Sequence, residues 1–278
     1  MWILDIPDIS KAFNEDVDEL VKHCRNLSTH DGDLLKKLYK KYNICKGKVN
    51  AVDLNPLSSK KNIIRDQYIS KIKEKGTLSF IRKDLLREVS KCPFCGINEP
   101  VTLDHYMDKS LYGQLACCRL NLIPSCWKCN HTKAKKTYSD FVHAYYDRFD
   151  YGKFFFVTTI KIKKNKFVMD FCIDKGAISN KDLADRTASQ FDNLLLCKRY
   201  RKEATKFLLD YVKTLICSSE KSLKQMLKKT HKDYIKKYGG NHWKTSVIRG
   251  LINCNSFNLS VVQNIQKHKV RMENGIGA

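Results

Sequence analysis

Apolar positions recur at helical spacing over most of this chain and switch to strand-like runs in only a few places. Residues 11–27 and 32–42 read as two helices, with Asp and Glu concentrated early. Residues 45–61 are polar, contain Pro56 and two serines, and read as a loop. The helical period returns over 62–75 and 77–89, where Leu78, Ile81, Leu85 and Val89 share one face. Residues 153–160 and 167–173 are rich in aromatic and β-branched side chains, with Lys163-Lys164-Asn165-Lys166 between them, which predicts a β-hairpin. Four further helices follow at 180–197, 201–217, 220–238 and 242–251. In the second, Phe207, Leu208, Tyr211, Val212, Leu215 and Ile216 form an apolar stripe, read as core rather than as a partner groove. With 278 residues and 42% hydrophobic content, the chain can bury a real core in two or three units. The class is α+β, mostly helical.

The run between residues 91 and 140 is different. It reads Cys92-Pro-Phe-Cys95, Leu103-Asp104-His105-Tyr106, Asn121-Leu122-Ile123-Pro124 and Cys126-Trp-Lys-Cys129-Asn130-His131-Thr132-Lys133. A C-x2-C turn offers two thiolates to one ion, and a second pair completes a tetrahedron around zinc. Metal binding then supplies folding energy to a segment too short to fold on apolar burial alone. Two disulfides, or unligated core cysteines, are the alternatives. The chain opens with Met-Trp-Ile-Leu-Asp-Ile-Pro-Asp, which lacks the basic leader of a secretion signal, so zinc is favoured. The other cysteines, such as Cys24, Cys197, Cys217 and Cys254, sit in apolar-periodic stretches as small core residues.

Between the pairs lie the residue types that phosphodiester hydrolysis needs: a base for water, a hard cation and a group that orients the base. His105 suits the base because imidazole titrates near neutrality. On a strand, adjacent side chains diverge, so Asp104 can face a metal while His105 faces a phosphate. Asn130, on a helix expected over 127–138, offers an amide oxygen as a second hard ligand for Mg2+. Asn121, through its side chain or its carbonyl, is placed to accept the other ring N–H of His105 and fix the tautomer.

As a set, these residues resemble the HNH endonuclease motif of the His-Me finger (ββα-metal) superfamily, in its four-cysteine form. The resemblance covers about fifty residues, 91–140. It implies His105 as general base, Asn121 as its orienting residue, and Asp104 and Asn130 as ligands of a catalytic Mg2+ or Mn2+. Cys92, Cys95, Cys126 and Cys129 would hold a structural Zn2+. Two departures stand out. Relatives often carry D-H-x-x-P, whereas Asp108 occupies the proline position here; it reads as a turn aspartate, with a metal-side carboxylate as the alternative. The last motif position is Asn130 with His131 beside it, which favours Mg2+ or Mn2+ over Ni2+ or Zn2+. His131 is left as a ligand, a phosphate contact or a helix-surface residue. The implied organisation is an N-terminal helical region (1–90), a central ββα-metal module (91–140) and a basic C-terminal region (141–278) with a β-hairpin followed by helices.

Charge points to the partner. Lys and Arg number 52 against 29 Asp and Glu, a net +23, with a pI near 9.5. Residues 1–40 carry six basic and eight acidic side chains, residues 41–140 nineteen and nine, and residues 141–278 twenty-seven and twelve. Such a field attracts polyanions, and together with the motif it favours nucleic acid, DNA first, over a membrane surface. Lys109, Lys133, Lys135 and Lys136 are candidate phosphate contacts, with a solvated helix end as the alternative. Lys221, Lys224, Lys228, Lys229, Lys232, Lys236 and Lys237 recur along one predicted helix, interleaved with Tyr234, Tyr238 and Trp243; backbone tracking with base stacking and a plain charged face beside core rings are equally open. No apolar run reaches membrane-spanning length. A cytoplasmic nuclease is expected, similar to HNH proteins of bacterial antiphage defence, including the nuclease subunit of Septu-type and retron-associated systems. That resemblance implies a restraining partner such as a defence ATPase, with the acidic first forty residues as its docking surface. Restriction and mobile-element nucleases share much of the pattern, and a non-catalytic zinc-finger nucleic-acid binder is the competing class.

Overall fold

In a computed structural model, residues 2–48, 52–133, 136–164 and 166–273 are described. The chain is α+β and mostly helical, with two small antiparallel sheets. It divides into two compact units, residues 2–148 and 149–278. The N-terminal helices therefore share a unit with the cysteine-rich segment.

In the first unit the expected opening helix is two, α1 (Ile9–Phe13) and α2 (Glu15–Lys22), because Asn14 leaves helical geometry (φ −120°, ψ −77°). Asp8 caps α1 by accepting from Ser10 N and Lys11 N. Next come α3 (Thr29–Ile44), with a Ser28–Asp31 capping box, and α4 (Lys61–Lys71) and α5 (Ser79–Arg87). Strand β1 (Thr102–His105) pairs antiparallel with β2 (Leu122–Ser125), His105 opposite Leu122, and α6 (Trp127–Lys133) packs on β1. Arg119, immediately before β2, is buried and forks onto Asp16 of α2 (2.6 and 2.7 Å), with a third bond to Asp84 of α5 (3.3 Å). Bidentate guanidinium–carboxylate pairing fixes direction as well as distance, so this knot ties α2 and α5 to the start of β2.

The second unit is built on β3 (Phe156–Lys163) and β4 (Lys166–Ile173), paired from Phe156↔Ile173 to Lys163↔Lys166. The first strand begins three residues later than the pattern suggests. Asn241 explains this: its amide donates to Lys153 O and accepts from Phe155 N and Phe156 N, taking the place of a partner strand. Helices α7 (Lys181–Asn193), α8 (Leu196–Lys213), α9 (Glu220–Tyr238), α10 (Trp243–Ile252) and α11 (Leu259–Glu273) complete the unit. Leu195, at φ +52°, breaks α7 from α8, and Leu208, Val212 and Leu215 of the predicted stripe are buried as core, while Ile216 is exposed. No described helix is long and apolar enough to cross a membrane.

Candidate metal centre and active site

The cysteine pairs converge. Cys92 and Cys95 sit on a turn in which Cys95 N and Gly96 N donate to Cys92 O, with Gly96 at φ +61°. Cys126 follows β2, and Cys129 lies in α6. All four are buried, and their Sγ atoms lie within 4.8 Å of one another. Cys95 and Cys126 are 3.9 Å apart; zinc–sulfur bonds of 2.3 Å in a tetrahedron would set sulfurs about 3.8 Å apart. Ile97 N donates to Cys95 Sγ and Asn98 Nδ2 to Cys126 Sγ. Within the cluster the Cys126 thiol is held below its ordinary range by Cys129 first, then by Cys92 and Cys95, while burial raises the Cys92 thiol and contact with Cys126 raises that of Cys129. No disulfide joins any of the twelve cysteines. The cluster can hold a zinc ion. No second group of three or more His, Cys, Asp or Glu side chains with metal-binding proximity occurs among the described residues.

Asp104 and His105 end β1, so their side chains leave opposite faces of the strand. On the Asp104 face lies α6. Asn130 Nδ2 donates to Thr102 Oγ1 (3.0 Å) and Leu103 O (3.3 Å). Lys133 Nζ sits 2.8 Å from Asp104 Oδ2, off the axis of a hydrogen bond, and donates to His105 O (2.8 Å) and Tyr106 O (3.4 Å). Burial raises the Asp104 carboxyl above its usual range, and the Lys133 charge opposes that rise.

His105 is 8% exposed, with the Tyr68 ring edge-on at 4.2 Å between centroids. Its Nε2 lies 3.0 Å from Ala116 O. A carbonyl only accepts, so Nε2 carries the hydrogen and Nδ1 keeps the lone pair. Burial, then the charge of Lys109, drives this imidazole down to about 3, so the ring is neutral at physiological pH. Lys109, Asp108 and Lys133 all act electrostatically on both Asp104 and His105.

Asn121 does not meet the imidazole. Fully buried, it accepts from Met107 N (2.8 Å) and Tyr42 OH (3.3 Å), and donates to Met107 O and Leu115 O (3.1 Å each). Its own carbonyl accepts from Tyr106 N (2.9 Å). The expected direct contact is replaced by a brace: Asn121 holds both ends of the 106–116 loop, and Ala116 O fixes the ring. Behind it, Tyr42 OH lies 3.2 Å from Nε2 of the buried His143. Gly47, at φ +76°, passes so close that a Cβ there would fall 2.6 Å from that ring. Tyr42, Tyr68, Ala116 and His143 had no motif to mark them; only the apolar periodicity of 32–42 and 62–75 hinted that Tyr42 and Tyr68 face inward.

The remaining candidates scatter. Lys133 is buried at 4% exposure, so its ammonium faces Asp104 rather than solvent and is not positioned as a surface phosphate contact. Lys109 is half-buried, Lys136 is exposed, and Lys135 lies outside the described residues. Asp108 accepts from Ser110 N and Leu111 N, an aspartate turn. His131 is exposed and stacks on Trp127 at 4.8 Å, away from the cysteine group.

Known proteins add little to this geometry. Protein ea31 of Escherichia phage lambda is 25% identical over 146 residues, 50% of this chain and 49% of that protein. The alignment thus spans about half of each. No protein-family model matches the chain, and no solved structure matches it.

Proposed function

We propose that residues 91–140 form an HNH-type ββα-metal module and that the protein is an endonuclease hydrolysing phosphodiester bonds, DNA favoured. The observation that supports this best is the pair at the end of β1. Asp104 and His105 diverge from a strand that the cysteine cluster clamps to α6, and the Ala116 carbonyl orients the His105 imidazole.

In this reading His105 Nδ1 accepts the proton of the attacking water, while Ala116 O holds Nε2–H so the ring cannot turn. Asn121 keeps the 106–116 loop in register, which places Ala116 O. Asp104 and Asn130, on one side of β1, supply hard oxygen donors that would hold Mg2+ or Mn2+, an ion that would have to displace the Lys133 ammonium from Asp104 Oδ2. Bound there, the ion would stabilise the leaving oxygen. Lys109 and Lys136 are the described surface-side cations of the four proposed for phosphate contact.

Two observations favour a second reading, a zinc-stabilised nucleic-acid binder without activity: the Lys133 ammonium already neutralises Asp104, and burial holds His105 at about 3, well below the range of an efficient general base at neutral pH. The test separates them. Zinc-loaded protein freed of other divalent ions should nick plasmid only after Mg2+ or Mn2+ is restored, and failure to cut under every ion supports the binder.

A role as the effector of an antiphage defence system, restrained by a partner such as an ATPase, extends the same proposal. Asp16 and Asp31 of the acidic N-terminus are buried, so a docking surface there would use Asp5, Asp8, Glu15, Asp18 and Asp33, which are exposed. Co-purification of the native protein tests it, and a lone, fully active monomer would contradict it.

A further inference from the structure

The C-terminal unit carries a charged face that the candidate active site does not use. All seven lysines of α9 are exposed. At 3.6 residues per turn, Lys221, Lys224, Lys228, Lys229, Lys232 and Lys236 share one arc of about 140°. The helix's two acidic residues, Glu220 and Asp233, lie outside it, and the opposite side buries Leu223 and Leu227. None of the six has an ion-pair partner among the described residues. From Lys221 to Lys236 the stripe runs about 22 Å, at 1.5 Å per residue.

Helix stability does not explain this pattern. The macrodipole favours lysine in the last turn, yet Lys221 lies in the first, and Lys224, Lys228, Lys232 and Lys236 repeat like charge at i,i+4, which opposes helix formation. A polyanion laid along the stripe would reverse both penalties.

The structure also separates the two readings of the nearby rings. Trp243 is 4% exposed and packs on Tyr200, Phe207 and His242. Tyr238 is stacked on His242 and meets Tyr234 edge-on. Those rings are engaged with one another, so base stacking is not on offer, and a single strand gains nothing over a duplex. A membrane helix would pair its lysines with exposed large apolar side chains. In this arc the one apolar residue is Ile235, which is half-buried.

We infer that α9 is a docking rail for the phosphate backbone of duplex nucleic acid, and that it grips without reading sequence. This deepens the nuclease proposal by naming the form of its substrate, but its support is the exposure and charge of α9 alone. Duplex DNA carries one charge per 1.7 Å of axis with both strands counted, so a 22 Å length holds about 13 phosphate charges, and those on the side turned to the stripe are enough to meet several of its lysines.

The test uses the full chain and fluorescence anisotropy with a mixed-sequence 20-base-pair DNA duplex, the corresponding single strand, and vesicles of phosphatidylcholine with phosphatidylserine, all without added divalent ions. A Lys224→Gln, Lys228→Gln, Lys232→Gln variant should lose at least tenfold in duplex affinity at 100 mM salt. The slope of log affinity against log salt should shrink by about 2.7, at 0.9 per phosphate contact. The matching triple arginine variant should bind like wild type, and circular dichroism should show both folded. Unchanged affinity and slope in the glutamine variant would overturn the rail. So would tighter binding to the single strand or to vesicles with the same lysine dependence. Repeating the titration on a His105→Ala background keeps the two proposals apart: lysine-dependent duplex binding there supports the rail whether or not the protein cuts.

Discussion

Lys133 Nζ lies 2.8 Å from Asp104 Oδ2, and both side chains are almost wholly buried. The same ammonium bonds the carbonyls of His105 and Tyr106, so one lysine joins α6 to the end of β1 and neutralises the carboxylate proposed for a catalytic ion. Removing one partner of a buried pair strands the other charge, at a cost of about 3–5 kcal/mol. Lys133→Met should lower urea stability by that order, and adding Asp104→Leu should recover much of it. If a divalent ion uses Asp104, Lys133→Met should also tighten Mn2+ binding measured by calorimetry.

The cysteine cluster predicts one zinc per chain by elemental analysis. Because apparent binding energies of structural zinc are about 10–16 kcal/mol in small zinc-finger peptides, its loss should unfold the segment it clamps. Cys126→Ser should lose the metal and become protease-sensitive between residues 91 and 133, while Cys254→Ser, far from the cluster in sequence and in the other unit, should keep full zinc content.

Arg119 offers a test remote from the proposed chemistry. Burial raises the Asp16 carboxyl above its usual range, against the pull of the Arg119 guanidinium. Arg119→Met leaves Asp16 buried without its partner and should cost about 3–5 kcal/mol. A loss below 1 kcal/mol in urea denaturation would show that α2 and α5 are not held by this knot.

The His105 ring has a folded pKa near 3, against 6.5 when unperturbed. Between those values the unfolded chain binds more protons than the folded one, so this residue makes stability fall as pH drops from about 6.5 toward 3. Imidazole nitrogen shifts followed by NMR should therefore stay neutral, with Nε2 protonated, from pH 8 down to pH 5. A titration centred near 6.5 would contradict the buried, carbonyl-bound ring.

Much of this was legible in the residues. The bounds of α9 and the pairing of β3 with β4 follow from periodicity and turn composition, and the C-x2-C spacing alone brought four thiols together. The failures have local causes. The motif helix was expected to reach residue 138; residues 134 and 135 lie outside the described residues, and Thr137 takes an extended conformation with its hydroxyl bonded to Asp140. Helix α11 was not anticipated, although Val262 and Ile265 bury on it at helical spacing. The least legible features were contacts between distant segments: Lys133 with Asp104, Tyr68 against His105, and Tyr42 reaching Asn121. A motif names residue types, but which carbonyl orients a histidine depends on how a loop closes, and nothing in the spacing states that.

The most direct test is the cutting rate of wild type and His105→Ala on the same supercoiled plasmid with Mg2+ or Mn2+, at matched zinc content and melting temperature. A lost general base should slow cleavage by about 10²–10⁴-fold. Equal rates in the two proteins would contradict the role given to His105.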